Sequence, residues 1–249
     1  PLVRALFVGG GLVKTASGDM HPAVHRFAKS ISPKSGKLYV LVNALGAGEY
    51  YGANINGDYF EEDELLNISD GRGHKSFLDA GVYRHHVNKD PEKSMGTVLV
   101  SEYNPKMHRV ELIVEIDRKK AADLGHGDLV DKLDQGKNPA VSMGCKVPYD
   151  VCSICGHKSR TRADYCEHAR SSMGKVLSDG RKVFVYNPRP RFFDISFVLV
   201  GADKASYAMS KLASAQEPLA KTAAPLLKSA TKQKLSDIVK RLPAMASKV

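Results

Sequence analysis

The chain has 249 residues, a hydrophobic fraction of 43%, a charged fraction of 26% and a formal net charge of +10. That length and balance suit one sizeable core with appendages and exclude a disordered polyelectrolyte, while no apolar run reaches the roughly 18 residues of a membrane span. The positive excess favours polyanionic partners, but it is uneven: residues 203–249 hold nine Lys/Arg against three Asp/Glu, a local +6, so basicity describes a tail more than a groove.

The opening PLVRALFVGGGLV is apolar but short, and it lacks the positive leader and small-residue cleavage site of a signal peptide. Pro1 in place of Met implies trimming, by Met removal or by processing. Short apolar runs then predict strands at 38–45, 95–103, 109–116, 139–147, 182–187 and 191–200. The runs at 95–103 and 109–116 flank NPKMH, whose Asn-Pro supplies a turn, and are expected to form an antiparallel hairpin. Helices are expected at 74–80 and 119–135, the second weakened by Gly125 and Gly127. From residue 203 onward the composition turns to Ala, Lys and Ser, punctuated by Pro218 and Pro225, and reads as a basic helical tail. Within it, Leu235, Ile238, Val239 and Leu242 share one helical face, fit for docking or for ordinary surface packing.

Residues 148–181 form an insert between strands. It holds Cys152-Ser-Ile-Cys155-Gly, then Cys166-Glu-His168. With Cys145, the four cysteines cluster within 22 residues, which points to a metal and a reducing compartment rather than a disulfide framework. Two thiolates of a C-x-x-C turn can chelate one ion, and Cys166 and His168 can close a tetrahedron; His157 or Cys145 could replace His168. Such a sulfur-rich set selects zinc in a structural role, because four protein ligands leave no site for water. Lys158, Arg160, Arg162 and Arg170 also allow a nucleic-acid-binding ribbon, although Tyr165 is the lone aromatic among them.

Three further segments bear on catalysis. His85 and His86 precede a Pro-containing loop, Ser142 lies in the strand PAVSMGCKV, and Asp194 interrupts the apolar strand RFFDISFVLV. A hydroxyl nucleophile needs an imidazole to take its proton and a third group to orient that imidazole. A strand Ser or a lone His is usually an ordinary residue, but a carboxylate among Phe193, Ile195 and Phe197 requires a buried partner. Period-2 alternation puts Asp194 and Ser196 on one face, opposite Phe193 and Ile195.

These segments, in order, resemble the prohead (capsid maturation) protease family of tailed bacteriophages, which is related in fold to herpesvirus assemblin. YGANINGDYFEEDEL is similar to the family's Asn-x-Asn-Gly segment, and HHVNKDPEKSMGTV to its His-x-Asn-x-Asp-Pro segment. PAVSMGCKV is similar to its nucleophile strand, and FFDISFVLVGADKASYA to the strand that completes the triad. The resemblance spans residues 38–208 and implies Ser142 as nucleophile, His86 rather than His85 as base, and Asp194 as the third member. The zinc insert and the doubled histidine depart from the simplest family pattern.

The resemblance also implies an α+β protein with a closed, mainly antiparallel β-barrel at 1–202, flanked by helices. Its implied activity is that of a serine endopeptidase cutting scaffold and major capsid proteins, and its own termini, inside the procapsid in the host cytoplasm. The tail would recruit it, self-association would accompany assembly, nucleic acid would be a secondary partner, and no membrane is involved. The rival expectation is a catalytically silent virion structural protein that keeps the fold and the zinc clip.

Overall fold

In the computed structural model, residues 7–8, 11–12 and 20–214 are described. The amphipathic face expected at 235–242, and the tail beyond 214 generally, lie outside them. Strands β1 (Phe7–Val8) and β2 (Gly11–Leu12) pair with each other. Helix α1 (Pro22–Ser30) starts at Pro22, whose missing N–H costs nothing there, and is capped by His21 Nδ1 on the Ala23 amide. There follow β3 (Lys37–Gly46), α2 (Gly48–Tyr51), β4 (Asp58–Tyr59), α3 (Glu62–Leu66), β5 (Gly81–Arg84), β6 (Gly96–Asn104) and β7 (Arg109–Asp117). Helices α4 (Arg118–Asp123) and α5 (Gly127–Asp134) precede β8 (Val141–Lys146), β9 (Asp150–Cys152) and β10 (Lys158–Ser159). The remainder is α6 (Glu167–Ser172), β11 (Val185–Tyr186), β12 (Arg191–Phe197) and β13 (Tyr207–Ser214).

Seven strands form one curled sheet in the order β13-β3-β7-β6-β5-β12-β8, antiparallel throughout except for the parallel β5–β12 pair. The fold class is α+β. The expected closed barrel is corrected here to a partly closed one. The edge strands meet at a single bridge, Ala140–Tyr207, with Val141 N donating to Ser206 O at 3.1 Å and Ala208 N to Pro139 O at 2.9 Å. Beyond that point the outer edge of β8 has no strand partner among the described residues.

Inside the curl lies the main core. Leu38, Val40 and Val42 of β3 face Leu112, Val114 and Ile116 of β7, joined by Phe77, Phe192 and Phe197, all with 1% exposure or less. Burial of such side chains, at about 25 cal/mol per Å², is the main stabilising contribution. On the opposite face, Val24 of α1 covers Leu41 and Ile113. The β6–β7 hairpin closes at the pair Asn104–Arg109, as the Asn-Pro turn predicted. Arg109 forms a buried ion pair with Glu111 at 2.8 Å, and Glu111 also accepts the His21 amide that precedes α1.

Two other expectations need correction. The helix expected at 119–135 is two helices, broken at Gly125, which sits at φ 78°. The tail expected to be helical from 203 begins as strand β13, antiparallel to β3, so the compact body runs to Ser214 rather than to 202. Among the described residues no helix is long and apolar enough to cross a membrane.

Candidate catalytic and metal sites

Strand β8 lies antiparallel to β12, and the register sets Ser142 opposite Ser196 and Gly144 opposite Asp194. Directly opposed residues point to the same side of a sheet, so Ser142, Asp194 and Ser196 share one face. A bulge at Phe193, between the pairs of Phe192 and Asp194, sets this arrangement. Simple alternation placed Phe193 with Ile195; instead Phe193 is 37% exposed while Phe192 and Ile195 both enter the core. Bulges re-aim side chains in this way beside functional sites. Gly144 lets Asp194 pack closely against β8: a Cβ there would lie 3.1 Å from the Asp194 Cβ, and the neighbours would have to give by a few tenths of an ångström.

The Asp194 side chain is fully buried, and its oxygens are accounted for. Oδ2 meets His86 Nδ1 at 2.6 Å and accepts from Asn88 Nδ2 at 2.6 Å; Oδ1 accepts from Ser196 Oγ at 2.7 Å. These contacts offset the desolvation penalty of the carboxylate.

His86 reaches Asp194 from the turn after β5. Both His85 (φ 50°) and His86 (φ 57°) are left-handed, and the turn is closed by Val87 N donating to Arg84 O at 3.1 Å. Two consecutive positive φ values match a type I′ turn, but Gly or Asn would adopt them at less cost than His. The turn is tied to β12 by His85 N donating to Phe197 O and His86 N to Ser196 Oγ, each at 3.1 Å. Strain of this kind persists only where surrounding bonds impose it, and it concentrates at functional sites.

The hydrogen bond to Asp194 raises the pKa of His86 above its ordinary 6.5, against desolvation. His85 goes the other way: desolvation and then Arg84 lower its pKa, and Arg84 Nε lies 3.2 Å from its Nε2. His86, and not His85, therefore contacts Asp194. With Nδ1 so engaged, Nε2 of His86 is the ring nitrogen without a hydrogen bond among the described residues. No hydrogen bond joins Ser142 to His86 among the described residues. Asn88 and Ser196, which complete the cradle of Asp194, escaped sequence reasoning as participants. Their signals were the Asn two residues after His86 and the Asp-x-Ser alternation.

The second cluster comprises Cys152, Cys155, Cys166 and His168, whose ligand atoms all lie within 4.8 Å of one another. A tetrahedral ion with metal–sulfur bonds near 2.3 Å needs sulfurs about 3.8 Å apart. Cys155 Sγ and Cys166 Sγ are 3.5 Å apart, close to that spacing, and none of the four cysteines is in a disulfide. Cys152 ends β9; Gly156, at φ 70°, turns the chain so that its amide reaches Cys152 O at 2.9 Å. Cys166 caps α6 and His168 lies in its first turn. Burial opposes the Cys166 thiolate, but the Ala169 amide and hydrogen bonds from Cys155, Cys152 and His168 outweigh it and bring its pKa down to about 6. A ready thiolate in a four-donor set can hold a metal ion.

The other candidate fourth ligands are engaged elsewhere. His157 Nε2 lies 3.0 Å from Asp164 O, and Cys145 packs against the main core, where burial pushes its pKa up to about 12. The module carrying the cluster is stitched to the body through β11, which pairs in parallel with β4 and antiparallel with β9.

No family model, no curated protein and no solved structure matches this chain.

Proposed function

We propose that the chain is a serine endopeptidase with Ser142 as nucleophile, His86 as base and Asp194 as orienting acid. The 2.6 Å contact between His86 Nδ1 and the buried Asp194, one strand from Ser142 on the same face, carries this reading. Asp194 holds the imidazole with Nε2 free to accept a proton. Ser142 Oγ would attack a peptide carbonyl carbon as its proton passes to Nε2. Collapse of the tetrahedral adduct breaks the C–N bond, and the Nε2 proton leaves with the amine. Water then cleaves the ester by the same route and restores Ser142. A Ser142–His86 hydrogen bond that is absent without substrate is common in such sites.

The substrates in this reading are scaffold and capsid-protein segments of an assembling phage head, together with the enzyme's own termini, as the ordered motifs from Asn54 to Ala208 suggest. The Cys152/Cys155/Cys166/His168 set would hold zinc in a structural role, since three thiolates and one imidazole suit that ion and close its shell.

Co-expression with the neighbouring scaffold and capsid proteins tests the proposal, with fragment masses compared between wild type and Ser142→Ala. Cleavage that vanishes in the variant supports it. Intact partners beside an assembled wild-type chain favour the silent structural reading, and unchanged cleavage in the variant moves the nucleophile elsewhere.

A further inference from the structure

A cleft of about 250 Å³ opens where the curled sheet fails to close, and Ser142, Met143 and Cys145 of β8 line it. Its far walls come from Asn54 in the loop before β4 and Asp58 at the start of β4, and from the metal module, through Asp150, Arg162 and Tyr165. That volume fits one large side chain rather than a drug-sized ligand.

The edge of β8 on this cleft is equipped for an extended peptide. Val198 N donates to Ala140 O, so even-numbered residues of β8 exchange hydrogen bonds with β12 and odd-numbered ones point their main-chain groups to the other edge. Val141 spends its amide there on Ser206 O. Among the described residues, Met143 and Cys145 have no strand beside them on that edge. A strand laid against them would pair by β-augmentation and direct alternate side chains into the cleft.

The hydrogen bonds of the cleft's carboxylates set the chemistry of the side chain accepted. Three carboxylates line the cleft, and two are occupied. Asp150 accepts from Tyr165 Oη at 2.7 Å and from Asn187 Nδ2 at 2.8 Å. Asp203 accepts from the amides of Gly46 at 2.9 Å and Ala205 at 2.8 Å. Asp58 has one bond, from Asn54 Nδ2 to Oδ2 at 3.2 Å, and among the described residues its Oδ1 has none. Burial pushes the Asp58 pKa up, against the Asn54 hydrogen bond and the charge of Arg162, and among the described residues no cation is in ion-pair contact with this carboxylate. Arg162, the one cation in the lining among the described residues, is exposed, where solvent screens it.

We propose that this cleft is the primary specificity subsite of the peptidase and takes a lysine or arginine side chain on the acyl side of the scissile bond, with Asp58 as its counter-ion and the metal module as one wall. The proposal rests on the serine-peptidase reading. A mixture of synthetic peptides of diverse sequence is incubated with the full-length wild-type chain, and cleaved bonds are read by mass spectrometry. A fluorophosphonate probe labels the nucleophile in parallel. Cleavage should follow Lys or Arg, and replacing that residue by norleucine should lower kcat/KM by roughly 10- to 100-fold. Asp58→Asn should lower turnover of the basic peptides by a similar factor and so narrow the gap between the basic and the norleucine peptides.

Labelling with no basic preference, or with an acidic preference directed by Arg162, overturns the subsite and leaves the peptidase intact. Absence of both labelling and cleavage removes the peptidase reading and this one with it. If Asp58→Asn does not fold, the norleucine comparison on the wild type still decides.

Discussion

In the sheet body, Leu38, Leu112, Phe77 and Phe197 are wholly buried in one continuous core, whereas the metal module gathers Tyr165, Ala169 and Val185 into a small cluster of its own. The body can therefore hold a strained turn at His85 and His86 and a buried carboxylate at Asp194, because packing and hydrogen bonds fix them. The module has too few apolar side chains for that, and three thiols and an imidazole converge where a core would be. Small units that cannot bury enough surface use a metal in this way.

On the proposed zinc reading, stripping the ion from Cys152, Cys155, Cys166 and His168 should separate the two regions most strongly. Structural zinc sites contribute about 10–16 kcal/mol of apparent binding free energy at neutral pH. Cys152→Ser should abolish stoichiometric zinc and accelerate hydrogen exchange across residues 148–187, while β3, β6 and β7 keep their protection. Uniform loss of protection would mean that the two regions are one cooperative unit.

Next in size is the nucleophile. Ser142→Ala should lower kcat/KM by about 10⁶-fold in peptide cleavage assays, with thermal stability nearly unchanged. Asp194→Asn should cost about 10⁴-fold, because an amide no longer fixes the Nδ1–H tautomer of His86. Ser196→Ala removes one donor to Asp194 and one acceptor for the His86 amide, and should cost roughly 30-fold, since each such bond is worth about 1 kcal/mol.

A smaller effect is expected in the pH dependence. Protonated His86 cannot act as a base, and Asp194 raises its pKa, so kcat/KM should rise with pH to a plateau through a midpoint above 6.5. Asp194→Asn removes the raising partner and should move that midpoint down, read from the residual rates. An unmoved midpoint would detach the titration from this pair.

Much of the body was legible because its strands are long and apolar: the runs expected at 38–45, 95–103 and 109–116 emerge as Lys37–Gly46, Gly96–Asn104 and Arg109–Asp117. Strand β13 was not: its Ala, Lys and Ser composition reads as helix, and its bulges remove the alternation that would have marked a strand. Register shifts between Ala208 and Ser210 and between Lys211 and Ala213 put Met209 and Leu212 on one packed face three residues apart, which mimics helical spacing. The Phe193 bulge likewise defeats alternation on β12. The metal cluster was readable from Cys and His spacing, but the choice of His168 over His157 or Cys145 needed the turn at Gly156 and the start of α6. The cradle of Asp194 was half legible, because the demand for a partner follows from burial, whereas the identities of Asn88 and Ser196 depend on how the His85–His86 turn folds over β12.

Activation of Ser142 by His86, itself held by Asp194, is the step on which the proposed function stands. Fluorophosphonate labelling followed by peptide mapping tests it most directly, comparing wild type with His86→Ala and His85→Ala. A single adduct is expected on the peptide carrying Ser142, lost in His86→Ala and retained in His85→Ala. An adduct on another serine, or equal labelling of Ser142 without His86, would contradict it.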